Sequence, residues 1–409
     1  MPVITRLSTA VVQANFHWTY VRVYSDADGG LYGTGECFLA PGLPHIIAEF
    51  ADILTGEDFN NVEHLVEKMR WAASGAGSTA GIVWNAISGI EAALWDLKGK
   101  YHGLPVWQLL GGKFRDRARI YLDCHAAGAL ECLSPLLQET PAPWDKDAPP
   151  PRDLSPAEII TASAQRAQEM AALGYTALKF DLDLPGTRFD SSTGYTLNGR
   201  DIDWMVALTH ALRDAVGPDV DLAMDAHWRY RPNEILQVAQ AVESCRLMWL
   251  EDPVPPDDKA SLTYLRSRTT TPIGTGENLQ LRQGFWDLIV HDLCDVITPD
   301  LQKVGGLAEA RKIADMGATA NKPVAFHMIG SPLALMASAH VALTIPNFKV
   351  CEFHAHDVPF FHELAQGGTA AWFTHGWVTP LDAPGFGVEL DERTGKRHRL
   401  NGTRWFDER

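Results

Sequence analysis

Six polar residues in the second half of the chain recur at an interval that decides what they could do together. Asp225, Glu251, Glu277, Asp300, His327 and Glu352 are separated by 26, 26, 23, 27 and 25 residues. Each closes a short β-rich run: LAMDA, LMWLED, PIGTGE, DVITPD, PVAFH and FKVCEF. Such a step is one strand plus one helix, so all six are expected on the C-terminal rim of a closed barrel. Three carboxylates on consecutive strand ends repel one another unless a cation sits among them. An all-oxygen donor set suits Mg²⁺, which makes Asp225, Glu251 and Glu277 the expected metal ligands. Taken singly, each carboxylate has a plainer role open to it, as a solvated cap of the following helix.

The remaining polar groups read as acid–base chemistry. His327 and Asp300 end neighbouring strands, so the carboxylate can fix the imidazole tautomer and raise its basicity, giving a general base. In ALKFDLD, Lys179 and Asp181 share one face by the strand period of two, with Phe180 turned away. The alternation also carries His227 of MDAHW to the face of Asp225, where an imidazole could protonate a departing hydroxide. Either histidine and Lys179 could instead be structural. The H-x-H pair His354 and His356 is a weaker lead, since two histidines without further ligands are common.

These residues need a frame, and the patterning supplies one. Thr19 to Ser25 and Leu31 to Cys37 flank turn residues Asp26 to Gly30, which predicts a hairpin. A helical period runs from Val83 through Lys100, with Ile87, Ile90, Ala93, Leu94 and Leu97 on one face. From about Ala118, short strands alternate with helices, as in repeated βα units. In one unit Ser155, Pro156 and Glu158 form a capping box, Gly174 stops the helix, and YTALKF follows as a strand. With ARIYL and ALKF, eight strands are counted. Two insertions, Ala127 to Asp153 and Leu184 to Arg200, follow strands and are candidate lids or interface arms, or plain surface decoration.

Composition narrows the class. The chain has 409 residues, 46% hydrophobic, which suits two domains of a folded globular protein. No apolar run approaches a membrane span, and Met1 to Thr9 lacks the features of a signal peptide, so cytoplasmic action is expected. A formal charge of -16 argues against a nucleic-acid partner. The six cysteines are scattered without a C-x-x-C pair, which fits reduced thiols rather than a zinc site. Phosphate-loop, G-x-S-x-G and H-E-x-x-H motifs are absent.

The segments AISGIEAALWDLKGKYHGLPVWQLLGG, LKFDLD, MDAHW, WLEDP, GTGEN, PDLQKVGGLAEARKIA and AFHMIGSP together resemble the enolase superfamily. More narrowly, the chain is similar to the acid-sugar dehydratases of its mandelate racemase-like branch, of the gluconate dehydratase type in KFDLD and DAHWRY. The resemblance implies an α/β fold: a modified TIM barrel over residues 121–352, an N-terminal α+β capping domain over 1–120, and a C-terminal tail, 353–409, that completes the cap. It implies Mg²⁺ on Asp225, Glu251 and Glu277, the His327–Asp300 base, His227 as acid, and Glu352 as partner of the substrate carboxylate or enolate oxygen. Capping loops set specificity in the family, here Asn15 to Trp18, so His17 and Trp18 join Asp181 as expected substrate contacts. Homo-oligomers are usual. The expected reaction is dehydration of a D-gluconate-like sugar acid to a 2-keto-3-deoxy acid. Many racemase-branch members carry K-x-K where this chain has Lys179, Phe180 and Asp181; the single lysine disfavours a two-base racemase or epimerase using Lys179 and His327, which stays the alternative, with a non-catalytic sugar-acid-binding protein as a second.

Overall fold

The computed structural model describes residues 2–76, 79–125, 154–184 and 196–406. Ala127 to Asp153 and most of Leu184 to Arg200, the two expected insertions, lie outside the described residues. The predicted hairpin forms as β2 (His17–Ser25) and β3 (Tyr32–Cys37). A further strand, β1 (Ile4–Gln13), pairs antiparallel with β2 and was not expected. Its register shifts between Ile4 and Arg6, and such a bulge breaks the alternation by which a strand is recognised.

The predicted helix runs from Ile82 to His102 and is buried nearly all round rather than on one face. One side lies against β3, where a Cβ on Gly35 would fall 2.1 Å from the Gly89 carbonyl oxygen, so only glycine permits the approach. The other side meets the barrel. Ser88 Oγ accepts from the Gly305 amide, and Glu91 accepts from the amides of Leu307 and Ala308 at the start of the helix Leu307–Thr319. A cap residue thus serves as N-terminal acceptor for a barrel helix, and the two layers are fixed together.

Eight parallel strands close the barrel: β4 (Ala118–Cys124), β5 (Ala177–Asp181), β6 (Asp221–Asp225), β7 (Trp249–Glu251), β8 (Ile273–Thr275), β9 (Val296–Ile297), β10 (Val324–Phe326) and β11 (Phe348–Phe353), with β11 returning to pair with β4. The capping box at Ser155 is present, and the helix Pro156–Ala172 leads into β5 as expected. Inside the barrel Tyr121, Ala177, Ala223, Trp249, Val296, Ala325 and Val350 form a core of their own. Past β11 the chain returns to the cap: Trp405 bridges Ala10, Arg399 bridges Val12, and Glu392 pairs with Arg22. Among the described residues, the five cysteines are free and buried, and no helix is long and apolar enough to cross a membrane.

Candidate active site

Strand register assembles the site. Asp181 on β5 lies beside Asp225 on β6, which lies beside Glu251 on β7, while Lys179 lies beside Asp123 of β4. Lys179 is the hub: its Nζ is 2.9 Å from Glu352, 3.1 Å from Asp225, 3.3 Å from Glu251 and 3.7 Å from Asp123. Beneath it, Tyr121 and Trp249 meet edge to face with ring centroids 5.5 Å apart. The Trp249 indole donates to Glu251 Oε2 at 2.9 Å and so aims that carboxylate upward. Trp249 fits because its neighbour in the ring is Gly274, where a Cβ would fall 2.5 Å from the indole.

Asp225, Glu251 and Glu277 each offer an oxygen within 4.8 Å of the others, and all three are buried. Glu251 Oε1 is buried without a hydrogen-bond partner. An orphaned carboxylate oxygen in a dry cluster is costly unless a cation completes it. Burial, and then the charges of Asp225, Glu352 and Glu277, hold the Glu251 carboxyl well above its usual range despite Lys179. These residues fit a hard divalent cation. Two flanking clusters, Asp123 with His125 and His354, and Asp181 with Asp183 and His227, contain imidazole and suit softer metals.

A parallel bridge between Asp300 and His327 continues the β9–β10 pairing and brings Asp300 Oδ2 to 2.6 Å from His327 Nδ1. The other ring nitrogen, Nε2, is 3.3 Å from Glu277 and 3.7 Å from Glu352. Burial would lower His327, but Glu277, Glu352 and Asp300 outweigh it and push it up to about 9. Lys179, likewise opposed by burial, is held well above its usual value by Glu251, Glu352 and Asp123.

His227 also reaches the mouth, by a different route from the strand alternation expected of it. β6 ends at Asp225, and His227 and Trp228 both take left-handed backbone, φ 48° and 47°. The turn sets His227 Nε2 3.8 Å from Asp225. Burial opposes its protonation, yet Asp225, Asp181 and Asp183 hold it well above the ordinary histidine range.

One wall was foreseen only in part: Asn15 belongs to the expected specificity loop and His354 to the weaker H-x-H lead, but His125 and the convergence of the three were not expected. His125, just past β4, faces His354, just past β11, with Nε2 atoms 3.2 Å apart, and His354 Nε2 is 3.5 Å from Asp123. Asn15 lies 3.1 Å from His354 Nδ1, and the Phe16 ring packs on the same imidazole. The strand-end rule, applied to ARIYL, would have found Asp123 and His125. Of the other expected contacts, Trp18 is buried with its indole on the Ile329 carbonyl, and His17 opens β2 opposite Gln13. His356 turns away, onto Tyr175 and His375. A groove of about 770 Å³ between His362, Phe373, His375 and Arg393 contains none of the mouth residues.

Comparison with known proteins assigns the family. Residues 162–394 match the model for "Enolase C-terminal domain-like" proteins, and residues 4–111 match that for the mandelate racemase / muconate lactonizing enzyme N-terminal domain. The chain belongs to the enolase superfamily. Enolase-superfamily members bind a divalent metal, and the buried carboxylates here could hold one. Among its superfamily relatives, a D-xylonate dehydratase of Haloferax volcanii is 35% identical over 99% of this chain and 91% of its own. A D-mannonate dehydratase of Rhizorhabdus wittichii is 29% identical, covering 93% of this chain and 91% of its own. The crystal structure of a mandelate racemase/muconate lactonizing enzyme-like protein from Rubrobacter xylanophilus superposes with a TM-score of 0.86 at 38% identity, over 99% of each chain. The chain is an enzyme of this superfamily, and the expected dehydratase branch agrees with these relatives.

Proposed function

We propose that the chain is a Mg²⁺-dependent hydro-lyase that dehydrates an aldonic acid of the D-gluconate type to a 2-keto-3-deoxy sugar acid. One arrangement carries this. Two imidazoles flank the carboxylate trio, His227 beside Asp225 at one end and His327 beside Glu277 at the other. Dehydration needs such a pair, a base for the C2 proton and an acid for the C3 oxygen. The names of the D-xylonate and D-mannonate dehydratases support the same reaction class.

Asp225, Glu251 and Glu277 would hold Mg²⁺, which when bound supplies positive charge opposite the substrate carboxylate and the oxygens that gain charge on deprotonation. His327 takes the C2 proton on Nε2, because Nδ1–H is committed to Asp300. Lys179 faces the resulting enediolate as a fixed cation. Glu352, raised by burial and held by Lys179 and the Met328 amide, pairs with a carboxylate or enolate oxygen. His227 protonates the C3 hydroxyl oxygen as the C3–O bond breaks, and the enol that remains tautomerises to the ketone. Asn15, His125 and His354, grouped with Asp123 and Asp181, are the groups we assign to the hydroxyls beyond C3, and His17 and Trp18 enter only through the expected capping loop.

The two-base alternative needs Lys179 as a base opposite His327, and its place among four carboxylates suits a fixed cation better. The test is incubation with D-gluconate, D-xylonate, D-galactonate and D-mannonate, with Mg²⁺, in deuterated water. Dehydration yields a 2-keto-3-deoxy product. Exchange and inversion at C2 without a keto product would mean an epimerase, and inertness toward the whole panel would mean a binding protein.

A further inference from the structure

His227 is held from behind, and the holding groups have no part in the chemistry described so far. Asp183 Oδ1 lies 3.5 Å from His227 Nδ1, and Asp183 Oδ2 lies 2.8 Å from Arg229 Nη1. The carboxylate therefore divides its two oxygens between the ring and a guanidinium two residues farther along the same turn. The backbone around Asp183 is tied to that turn as well: the Leu182 amide donates to the Asp225 carbonyl at 2.7 Å, and the Tyr230 hydroxyl donates to the Leu182 carbonyl at 2.8 Å. The turn itself is over-determined. The His227 amide donates to Asp225 Oδ1 at 2.8 Å and the Trp228 amide to the Asp252 carbonyl at 2.6 Å, holding two successive left-handed residues that a free chain would avoid. With Nδ1 turned to Asp183, Nε2 faces the mouth, 3.8 Å from Asp225 and 3.9 Å from Asp181. The result mirrors the Asp300–His327 pair across the carboxylate trio.

We propose that Asp183, anchored by Arg229, is the positioning residue that aims His227 Nε2 at the leaving hydroxyl; this rests on His227 being the acid. In that step the Nε2–H bond breaks and its proton passes to the C3 oxygen. The C3–O bond breaks with its electron pair leaving on the oxygen, as water. The pair left at C2 by proton abstraction forms the C2=C3 bond. A misaimed ring leaves abstraction by His327 intact and slows only the loss of water, so the two events separate.

The test compares the Mg²⁺-loaded intact enzyme with D183N, R229M, R229K and H227N in deuterated water, with D-gluconate and D-xylonate as probes. Deuterium at C2 and keto product are followed by proton NMR. Outer partners of this kind are worth roughly 10–100-fold when removed. Dehydration by D183N should fall by about that factor with KM unchanged, while C2 exchange stays within about threefold of the intact enzyme, on the same scale. R229M should fall in the same direction, and R229K, which keeps the ion pair, should recover most of the rate. Loss of exchange and dehydration together would reduce Asp183 to a structural group and overturn the proposal. So would a normal D183N beside an impaired H227N, whereas a normal H227N would remove the acid assignment itself. Ring position gives a readout that needs no turnover: crystals of Mg²⁺-loaded D183A should show His227 rotated from the mouth, and an unmoved ring would refute the inference.

Discussion

Replacing Lys179 with Met tests the charge balance on which the mouth depends. The ammonium lies within 3.7 Å of Asp123, Asp225, Glu251 and Glu352, all buried. Removing one partner of a buried ion pair costs roughly 3–5 kcal/mol. The lower end applies here, because Glu251 and Glu352 already sit above the usual carboxylate range and can take up protons. A 409-residue chain unfolds with an entropy on the order of 0.9 kcal/mol/K, so K179M should melt about 3–5 °C lower in EDTA. Calorimetry with Mg²⁺ supplies the second half of the test. A cation between Asp225 and Glu251 neutralises part of the charge that the lysine did, so the deficit should shrink when the ion is added. Melting of K179M within about 1 °C of the intact protein in EDTA, on the same scale, would refute the reasoning, as would a deficit that Mg²⁺ leaves unchanged.

Two further outcomes follow from particular contacts. H327N should lose C2 exchange in deuterated water by roughly 10²–10⁴-fold, the usual worth of a general base, while keeping its Mg²⁺ affinity. His340 sits far from this chemistry, accepting from the Trp107 amide on Nδ1 and donating to the Phe386 carbonyl from Nε2, and burial pushes it down to about 4. A histidine depressed on folding stabilises above its unfolded value near 6.5 and loses that contribution as pH falls toward 4. Relative to H340Q, the intact protein should therefore lose about 3 kcal/mol between those limits in pH-dependent melting, since one pKa unit is worth about 1.4 kcal/mol.

The barrel was legible because each strand ends on a polar residue and each βα unit has nearly the same length. The ladder from Asp225 to Glu352 therefore translates directly into neighbouring strand ends. What escaped notice follows from the same logic. β1 is interrupted by a bulge, and the left-handed turn at His227 has no glycine to signal it. The wall of Asn15, His125 and His354 is drawn from three distant segments that only barrel closure and the return of the cap bring together. The burial of Glu91 was equally hidden, since a helix with one apolar stripe gives no sign that its polar side serves the start of another helix.

The proposed chemistry requires a divalent ion at the all-carboxylate cluster, and calorimetric titration of Mg²⁺ into the metal-free protein measures its binding directly. One ion per chain is predicted, bound at least about 100-fold more weakly by E251Q and with unchanged affinity by H354A. Equal binding by E251Q, or loss of binding in H354A, would contradict it.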